Sequence, residues 1–572
     1  MKTTFRTLLV GFLLAATSIA YAQQVNTLYF LENAPMRHLI NPAFQPVSNV
    51  YVTLPVIGYS SAWVGNNAFT MKDFIFTDKN GNTITPYHPN ANPDWLAKKP
   101  KNTLIDADAY INLFGLGVRI KDNGYFHLNI SEHIIAGAAT GTNIFGINQL
   151  DSGLIGPFNL GANALVYTDF ALGYSHKIND QWTVGGKFKF LVGQSYINAN
   201  LDNISLAHSM EELHAYGNGN IVAAAPLQWQ NLPTDVTDLG NIDTEALAGT
   251  DYRDWITPAG LGAAFDLGAT YKPHEQVQIS ASVTDLGFIR WTNLAKGNLS
   301  IDTTFTGVEL NYGDYVYEGE LNQDSLTAHL TNTLNGYADA LNISDIDNNA
   351  KPLTRMLTAN LHVGVDANFW DNRVGVGVHS RTRFYNNVVT EELTLGAAFR
   401  PFNWVNIAAS YSFINGHWSN IGAALSIAPY DGIMLTLATD YIPTTYAKLV
   451  TEEDNYSLPY KTPGTNISLG IAIVAGTSRK DSDKDKVSDK FDLCPLTPRN
   501  VAVDEQGCPF DEDGDGVFDY MDQCPNTPAE AYDLIDSLGC PLDTDMDVLV
   551  LLYKTENLLK KVPDNSQEPL QK

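Results

Sequence analysis

Residues 405–413 read VNIAASYSF, and the alternation of their side chains indicates the fold class. Since successive side chains of a β-strand point to opposite sides, one face here is apolar and the other small or polar. The apolar face is Val405, Ile407, Ala409, Tyr411 and Phe413, and the other is Asn406, Ala408, Ser410 and Ser412. The same period of two recurs in residues 361–369, 393–400, 421–427, 433–441 and 467–473. The sequence therefore predicts an all-β fold.

A soluble antiparallel sandwich would alternate in the same way, but three features favour a transmembrane antiparallel β-barrel. The segments are about ten residues long, which is the length that a tilted strand needs to cross a bilayer. Their polar faces carry mostly Gly, Ala, Ser, Thr and Asn, which suits a crowded or water-filled lumen. Aromatic residues lie near strand ends, where interfacial girdles occur, at Tyr174, Phe384, Tyr411, Phe413 and Tyr441.

The spacing of the alternating segments predicts a barrel of roughly 14 strands, an even number as in bacterial outer-membrane barrels. Six connections are tight turns, at 121–124, 177–181, 273–276, 371–373, 401–404 and 430–432. The connections between them include long ones, at 61–109, 136–162, 201–260, 291–355 and 444–463. Short turns at one end and long loops at the other place both ends of the barrel on the periplasmic side. A further strand at 299–310 breaks the alternation, so we assign it to the loop 291–355.

Composition and the N-terminus define the compartment. The chain has 572 residues, only 17% of them charged, and a formal net charge of −28. Such an acidic chain repels phosphate, so nucleic acid is not expected as a partner. A secretory signal peptide is predicted over residues 1–22. Its parts are the basic residues Lys2 and Arg6, the apolar run LLVGFLLAATSIA and the small-x-small end Ala20-Tyr21-Ala22. A membrane anchor is the alternative, for which the run is short, and no later run of 18 apolar residues predicts a helical span.

The acidic segment near the C-terminus carries the most specific chemical pattern. Before Cys494, six residues occupy positions 1, 3, 5, 7, 9 and 12 of a loop that starts at Asp481. Before Cys524, six residues occupy the same positions of a loop that starts at Asp511. This is the oxygen spacing of a calcium-binding loop. Gly516 stands at position 6 of the second loop, where a sharp turn needs glycine, whereas Lys486 predicts a weaker first site. The predicted Ca²⁺ ligands are Asp481, Asp483, Asp485, Val487, Asp489, Asp492, Asp511, Asp513, Asp515, Val517, Asp519 and Asp522. A solvated acidic linker is the alternative, but it does not account for two identical spacings.

All four cysteines lie in this segment, at Cys494, Cys508, Cys524 and Cys540. Export favours disulfides, and the lack of a CxxC pair disfavours a Cys₄ zinc site, but four cysteines permit three connectivities.

A third repeat begins and then fails, because Leu551 stands where an aspartate is due. We therefore divide the chain into four parts. They are a signal peptide at 1–22, a barrel with an N-terminal plug-like segment at 23–476, calcium-binding repeats at 477–547 and a degenerate tail at 548–572.

Two parts of the chain resemble known families. Residues 26–60, with Asn41-Pro42-Ala43-Phe44, resemble the start of an outer-membrane barrel family, the domain of unknown function 5723. The strand layout is also similar to FadL-type channels for hydrophobic substrates, which implies an N-terminal segment inside the lumen. The acidic repeats resemble thrombospondin type 3 repeats of OmpA-like proteins, which implies local bridges Cys494–Cys508 and Cys524–Cys540. The peptidoglycan-binding domain of those proteins has no counterpart before Lys572, so peptidoglycan binding is not expected.

Catalytic patterns are sparse, and we do not expect an enzyme. GxSxG, HExxH, a phosphate loop and a dinucleotide fingerprint are all missing from the sequence. The cluster His208, Glu211, Glu212 and His214 is interpreted as the polar face of a short helix rather than as a metal or acid–base group. Charged residues on the polar strand faces could select a solute or neutralise one another across the lumen: Asp169, Lys187, Lys189, Asp366, Arg381 and Arg383.

The sequence leaves two functions open for a barrel surrounded by outer-membrane lipid. The first is a structural or interaction role, in which a calcium-stiffened periplasmic stalk reaches periplasmic or envelope protein partners. The alternative is a FadL-like channel for a hydrophobic or amphipathic solute. A barrel of about this size lies between side-chain-filled and water-filled barrels, so strand number does not decide between the two.

Overall fold

The computed structural model describes residues 25–74, 76–77, 83–84, 94–121, 123–149, 153–208, 213–225, 258–305, 316–317, 320–321, 341–385, 388–402, 404–414, 417–428, 432–450, 455–459, 461–476, 482–483, 485, 487, 492–504, 506–542 and 553–554. The chain divides into two compact units between Thr477 and Ser478. The signal peptide predicted at 1–22 lies outside the described residues. Among the described residues, no helix is long and apolar enough to span a membrane.

The first unit consists of antiparallel strands. In chain order these are β1 Val50–Thr53, β2 Ser60–Asn66, β3 Phe76–Thr77, β4 Thr83–Ile84, β5 Asn102–Ile120, β6 Gly124–Gly141, β7 Gly153–Lys177, β8 Trp182–His208, β9 Leu213–Ala224, β10 Gly260–His274, β11 Val277–Trp291, β12 Leu294–Phe305, β13 Val316–Tyr317, β14 Glu320–Leu321, β15 Leu341–Asp347, β16 Leu353–Met356, β17 Ala359–Phe369, β18 Val374–Tyr385, β19 Val388–Phe402, β20 Val405–Ile414, β21 His417–Ile427, β22 Gly432–Thr439, β23 Tyr446–Val450, β24 Asn455–Pro459 and β25 Gly464–Ala475. Short helices span Asn26–Phe30, Pro35–Leu39, Met71–Phe74 and Thr142–Gln149.

The strands close into a barrel of 14, as the sequence predicts. Two of the 14 are broken, one into β1 and β2 and the other into β16 and β17. Each barrel strand pairs with its neighbour in sequence, and β25 closes the ring against β1 and β2, with Val50 opposite Ala475 and Ser60 opposite Leu469. Closure leaves no open edge, which is what a β-structure needs in a bilayer.

The two faces of the wall are polar inside and apolar outside. In β20, the side chains of Ile407 and Tyr411 are exposed, whereas Asn406 and Ser412 are fully buried. This arrangement is the reverse of a soluble sandwich, whose apolar face would be buried. Large apolar side chains continue the exposed band around the barrel, including Phe170, Leu172, Phe188, Phe190, Phe265, Leu267, Val363, Val365, Val376, Val378, Leu395, Phe399, Leu435, Leu437, Ile467 and Leu469.

The connections separate into two ends. At one end the strands are joined by short turns at 121–123, 178–181, 275–276, 370–373, 403–404 and 428–431. The start of β1 and the end of β25 lie at this end, since Val50 pairs with both Val118 and Ala475. The opposite end carries the long connections, together with two short ones at 386–387 and 415–416. The predicted division into short turns and long loops is confirmed for these strands.

A branch of the sheet extends the wall at the long-loop end. The lower part of β8 pairs with β10 up to Gly193, and its upper part pairs with β9 from Tyr196. Strand β9 then pairs with β12, and β12 with β15. The extra strand predicted within the loop 291–355 is therefore β12. The short helix predicted around His208 is wrong for the two histidines of the cluster, because His208 ends β8 and His214 lies in β9 opposite Thr304. Glu211 and Glu212 of the same cluster lie outside the described residues.

The described part of the second unit consists of loops that repeat and includes a short helix at Ala529–Leu534. Disulfides join Cys494 to Cys508 and Cys524 to Cys540, which confirms the local pairing. Each repeat ends in a matching bridge, Val503 with Pro509 and Ile535 with Pro541. The failed third repeat, with Asp543, Asp545, Asp547 and Leu551, lies outside the described residues.

An arginine on the lipid face tests the orientation of the wall. Leu395 is 44% exposed and is the eighth of the fifteen residues of β19, whereas Val389 is 62% exposed near the long-loop end. We expect Leu395→Arg to lower the free energy of unfolding by about 2–4 kcal/mol and Val389→Arg by about 0–1, because burial of a cation in hydrocarbon depends on depth. Urea titration followed by gel mobility of unboiled samples measures both. Equal effects of the two variants would contradict the assigned membrane position.

Candidate functional site

The N-terminal segment, residues 25–49, lies inside the lumen of the barrel. Its two short helices bury Leu28, Tyr29 and Phe30 in the first and Met36 and Leu39 in the second. The segment packs into one apolar cluster with inward side chains of the wall, among them Ala398, Ala424 and Met434. Proline at the start of the second helix fits its first turn, where no backbone hydrogen bond is lost. We call residues 25–49 the plug.

A buried carboxylate holds the start of the plug. Asp440 follows the last residue of β22 and is 1% exposed. Its two oxygens accept hydrogen bonds from the backbone N–H groups of Asn26 (2.7 Å) and Thr27 (2.9 Å) and from the Thr27 hydroxyl (2.5 Å). The Asn466 amide donates to the same carboxylate at 3.2 Å. A charge removed from water needs such partners, so Asp440 and the plug stabilise each other.

Further polar contacts follow the first helix of the plug. The Asn26 amide donates to Glu392 at 2.8 Å, and the Thr27 hydroxyl lies 2.6 Å from that of Ser410. The Tyr29 hydroxyl donates to Asp366 at 2.9 Å, and its ring stacks on His379 with the centroids 4.6 Å apart. The plug is therefore bound to several strands at once, and no single strand carries its contacts.

Glu32 fixes the plug at the short-turn end. Its carboxylate accepts hydrogen bonds from Asn368 (2.8 Å) and Asn372 (2.9 Å) and lies 3.4 Å from the Arg400 guanidinium. Burial alone would raise the pKa of Glu32, but the guanidinium groups of Arg400 and Arg37 outweigh burial, so the pKa lies below its usual value. Glu32 is therefore a carboxylate at neutral pH and keeps this ion pair.

The second helix of the plug contacts the opposite wall through His38. Lys187 donates to both the Nδ1 atom (2.7 Å) and the backbone carbonyl (2.6 Å) of His38, whose Nε2 atom lies 2.8 Å from the Tyr51 hydroxyl. Because Lys187 is an ammonium donor, Nδ1 of His38 acts as the acceptor. The Asn41 amide then donates to the carbonyls of Ala269 and Ala281, both at 3.2 Å.

Glycines on the inner wall make room for the plug. A Cβ atom added at Gly396 would come within 3.0 Å of the Phe30 ring, and one at Gly364 would come equally close to Tyr29. At Gly422 the added atom would meet the Thr27 and Ser410 hydroxyls. Three glycines of different strands thus leave the space that three successive parts of the plug occupy. The close fit indicates that wall and plug are shaped for each other.

A layer of opposite charges crosses the lumen next to the plug. Lys189 lies 3.0 Å from Asp266 and 2.6 Å from Asp285. Arg383 pairs with Asp108 at 3.3 Å, and Arg381 lies 3.8 Å from Glu392. For Lys189, Arg381 and Arg383 the structure therefore favours mutual neutralisation, the second of the two interpretations of the lumen charges. Asp169 lies 3.3 Å from Nε2 of His133, and Asp366 and Lys187 instead form hydrogen bonds with the plug.

A cavity of about 350 Å³ lies in the wide part of the lumen. Apolar and aromatic side chains line one side, with Tyr196 stacked on Trp291 at 5.3 Å between centroids. The charged lining residues are Asp106 on β5 and Arg355 on β16. A second cavity of about 850 Å³ adjoins it, since Ala139, Gly161 and Asn200 line both. The pair forms a recess in the long-loop halves of β5, β6, β7 and β8.

The acidic loops of the second unit repeat their geometry in detail. The carboxylates of Asp485 and Asp515 each accept from the backbone N–H two residues later, at 2.8 Å in both. Asp492 and Asp522 do the same for Cys494 and Cys524, at 2.7 Å in both. Asp483 accepts from the N–H of Thr497, and Asp513 from that of Thr527. These hydrogen bonds fix six of the predicted ligands; Asp481 and Asp489 lie outside the described residues.

Two buried oxygens in these loops have no hydrogen-bond partner among the described residues. They are Oδ2 of Asp485 and Oδ2 of Asp515. Carboxylate oxygens of Asp483, Asp485 and Asp492 lie within 4.8 Å of one another, as do those of Asp511, Asp513 and Asp515. Gly507, with a positive φ of 78°, packs against Asp485 and Asp492, where a Cβ atom would come within 3.0 Å of both. Asp519 instead accepts from the Glu512 N–H at 2.8 Å, and Val517 donates its own N–H to Asp515.

Several residues of the lumen site were missed from the sequence. Asp440, Glu392 and Glu32 hold the plug, and Asp108, Asp266 and Asp285 complete the charge layer. Asp108 and Asp266 occupy polar positions of alternating strands, a signal that could have identified them. Asp440 also occupies the polar face of a predicted alternating segment, 433–441, although β22 ends one residue before it. Glu32 lies outside the strands, so period-two alternation gives no sign of it.

A closed wall with an apolar exterior, a polar lumen and an internal plug defines a transmembrane β-barrel of the outer-membrane type. The chain belongs to the family of unknown function (DUF5723), whose model matches residues 42–440. No curated protein matches it.

Solved structures share the strand layout at low identity. A FadL homologue of Pseudomonas aeruginosa is 11% identical, with 80% of this chain and 100% of that chain covered and a TM-score of 0.37. The toluene transporter TbuX of Ralstonia pickettii is 9% identical, with 77% and 94% covered and a TM-score of 0.37. The toluene transporter TodX of Pseudomonas putida is 9% identical, with 80% and 96% covered and a TM-score of 0.33. Similarity at this level says nothing about what passes through this barrel.

A methyl group at Gly396 tests the fit of the plug. We expect Gly396→Ala to cost about 1–3 kcal/mol by overpacking against Phe30, and Phe30→Leu to recover most of it in the double variant. Gly161→Ala is the matched control, since its Cβ atom would meet only Asn200 Oδ1 at 3.1 Å. Maleimide labelling of Leu31→Cys, at a fully buried plug position, reports displacement. If Gly396→Ala neither lowers the free energy of unfolding nor makes Leu31→Cys reactive toward maleimide in the combined variant, the described fit is contradicted.

Proposed function

We propose that the protein is a channel of the bacterial outer membrane for small amphipathic solutes, and that the plug is its gate. The observation that carries the proposal is the order of features along the lumen. A recess lined by apolar and aromatic side chains receives a solute, and a removable segment of the same chain blocks the way beyond it. A cavity of about 350 Å³ lies in the range of roughly 300–1,000 Å³ in which proteins bind small molecules.

The contacts of the plug are suited to reversible movement. Beside its apolar packing, its polar contacts with the wall are hydrogen bonds and one ion pair, and each of these can be replaced by water when the plug leaves the wall. The wall itself keeps its full ladder of strand pairs without the plug. Displacement of the plug would therefore open the lumen while the barrel stays closed to lipid.

A disulfide between plug and wall tests the gate. The hydroxyl oxygens of Thr27 and Ser410 are 2.6 Å apart, so Thr27→Cys with Ser410→Cys should form a bridge across them. We expect the oxidised double variant to lose solute flux in a liposome-swelling assay, and dithiothreitol to restore it. Deletion of residues 23–46 should raise flux above that of the unmodified protein.

Each single cysteine variant is the control, because dithiothreitol also reduces the two disulfides of the acidic unit. Flux through the oxidised double variant equal to that of the unmodified protein would show that the plug is not the gate. A closed barrel after deletion of residues 23–46 would instead favour the structural role.

For the acidic unit we infer a separate role, a calcium-stabilised periplasmic segment available to envelope partners. Donor chemistry supports it, since hard carboxylate oxygens at this spacing suit Ca²⁺. The buried, unpaired Oδ2 atoms of Asp485 and Asp515 also support it, because burial of an unpaired carboxylate oxygen is unfavourable unless a cation or water compensates. Asp483, Asp485 and Asp492 would hold one ion, and Asp511, Asp513, Asp515 and Asp522 the other. Calcium would supply folding free energy to a unit with little apolar core.

Proteolysis across a calcium titration tests this role in the full-length protein. We expect calcium to protect residues 478–547 from cleavage, and Asp513→Ala with Asp515→Ala to abolish protection of the second repeat while the barrel stays intact. Glu512→Ala is the control, a neighbouring exposed acid outside the ligand set. The first repeat, with Lys486 in place of glycine, should require more calcium, and magnesium should protect poorly. Equal protection in EDTA and in calcium would refute the proposal.

A further inference from the structure

The cavity of about 350 Å³ contains two opposite charges that do not neutralise each other. Asp106 is half-buried and Arg355 exposed, and no ion pair within 4.0 Å involves either among the described residues. Among the described residues, the one hydrogen bond of Arg355 runs from Nε to the Tyr196 hydroxyl at 2.9 Å. This bond orients the guanidinium, and its other N–H donors have no partner in the described part of the chain. The neighbouring lumen charges are paired, Asp108 with Arg383 and Lys189 with Asp266. Asp106 and Arg355 therefore differ from the rest of the lumen.

The two charges lie on facing walls. Around the barrel of 14 strands, β5 and β16 are six strands apart, through β6, β7, β8, β10, β11 and then β16. Between them the cavity is lined by Ile135, Leu165 and the Tyr196–Trp291 pair. A ligand that spans the cavity would thus meet an anion at one end, a cation at the other and an apolar surface between.

Amides complete the lining. Asn163 and Asn198 contribute to the same cavity, and the Asn200 amide donates to Asn198 at 2.7 Å, which orients the carboxamide of Asn198. Carboxamides both donate and accept, as peptide groups do. The combination of a carboxylate, a guanidinium, carboxamides and an apolar side matches the chemistry of a zwitterion that contains a peptide bond.

We propose that this cavity is a binding site for a short zwitterionic peptide with apolar side chains, such as a dipeptide. Its ammonium group pairs with Asp106, its carboxylate with Arg355, and a side chain packs on Tyr196 and Trp291. The proposal rests on the proposed channel for its role in transport, and it names the solute class. A simple amphipathic anion would use Arg355 but would be repelled by Asp106, so the two solute classes make different demands on Asp106.

Binding of capped dipeptides tests the proposal. Equilibrium dialysis of radiolabelled Leu-Phe against the full-length protein in detergent, with N-acetyl-Leu-Phe and Leu-Phe amide as competitors, reads each charge separately. We expect each cap to weaken binding about tenfold, since each removes one charge-assisted hydrogen bond. In Asp106→Asn the preference for Leu-Phe over the N-acetyl form should vanish while the preference over the amide remains. Arg355→Gln should give the reverse pattern.

Asp180→Asn and Arg373→Gln are matched controls, because both residues lie in short turns outside the cavity and carry the same changes of charge. Gel mobility of unboiled samples verifies that every variant is folded. Failure of Leu-Phe to bind, or binding of the N-acetyl form as tightly as that of Leu-Phe, would overturn the proposal.

The experiment also separates this proposal from the channel. Binding is measured in the oxidised Thr27→Cys, Ser410→Cys variant as well, where the plug cannot move. Charge-specific binding without flux in any variant would refute the channel and leave the site. Flux that responds to the lock, with equal binding of free and capped dipeptides, would refute the site and leave the channel.

Discussion

The hydrogen bonds between Asp440 and the backbone of Asn26 and Thr27 connect the plug to the wall at the start of the chain's described part. Asp440 is almost fully buried, and its four hydrogen bonds come from the plug and from Asn466. A carboxylate in this place would be unfavourable in an empty lumen without water. Wall and plug therefore stabilise each other at this first attachment, and the contacts of Glu32 and His38 hold the later parts of the plug.

The barrel has its apolar surface outside, so its interior must be stabilised by other means than a conventional core. Polar pairs such as Lys189–Asp266 and Arg383–Asp108 fill part of the lumen, and the plug brings the apolar residues that the wall lacks there. The glycines opposite Tyr29 and Phe30 give those rings space. Among the described residues, the cavity bounded by Asp106 and Arg355 remains open, so the proposals for solute binding and gating concern different parts of one lumen.

Most of the wall could be predicted from the sequence, because period-two alternation is a local signal that a lipid-facing strand must carry. The segment 405–413 matches β20, and the 14 strands and six short turns follow from the same signal. The upper parts of β7 and β8 and the branch β9–β12–β15 were underestimated, since pairing with distant partners extends strands beyond their alternating cores. The roles of Asp440 and Glu32 could not be predicted, because they come from contacts across more than 300 residues. The spacing of the cysteines left three connectivities open, and the local pairing that the resemblance of the repeats implied is the one present.

Hydrogen exchange of the plug tests the central claim most directly. Mass spectrometry of peptides from residues 25–31 reports whether the Asn26 and Thr27 amides are bonded to Asp440 inside the folded barrel. The account predicts slow exchange in the unmodified protein and fast exchange in Asp440→Asn, with the wall strands β19 and β20 protected in both. Fast exchange of residues 25–31 in the unmodified protein, at the rate of an open loop, would contradict a plug held in the lumen.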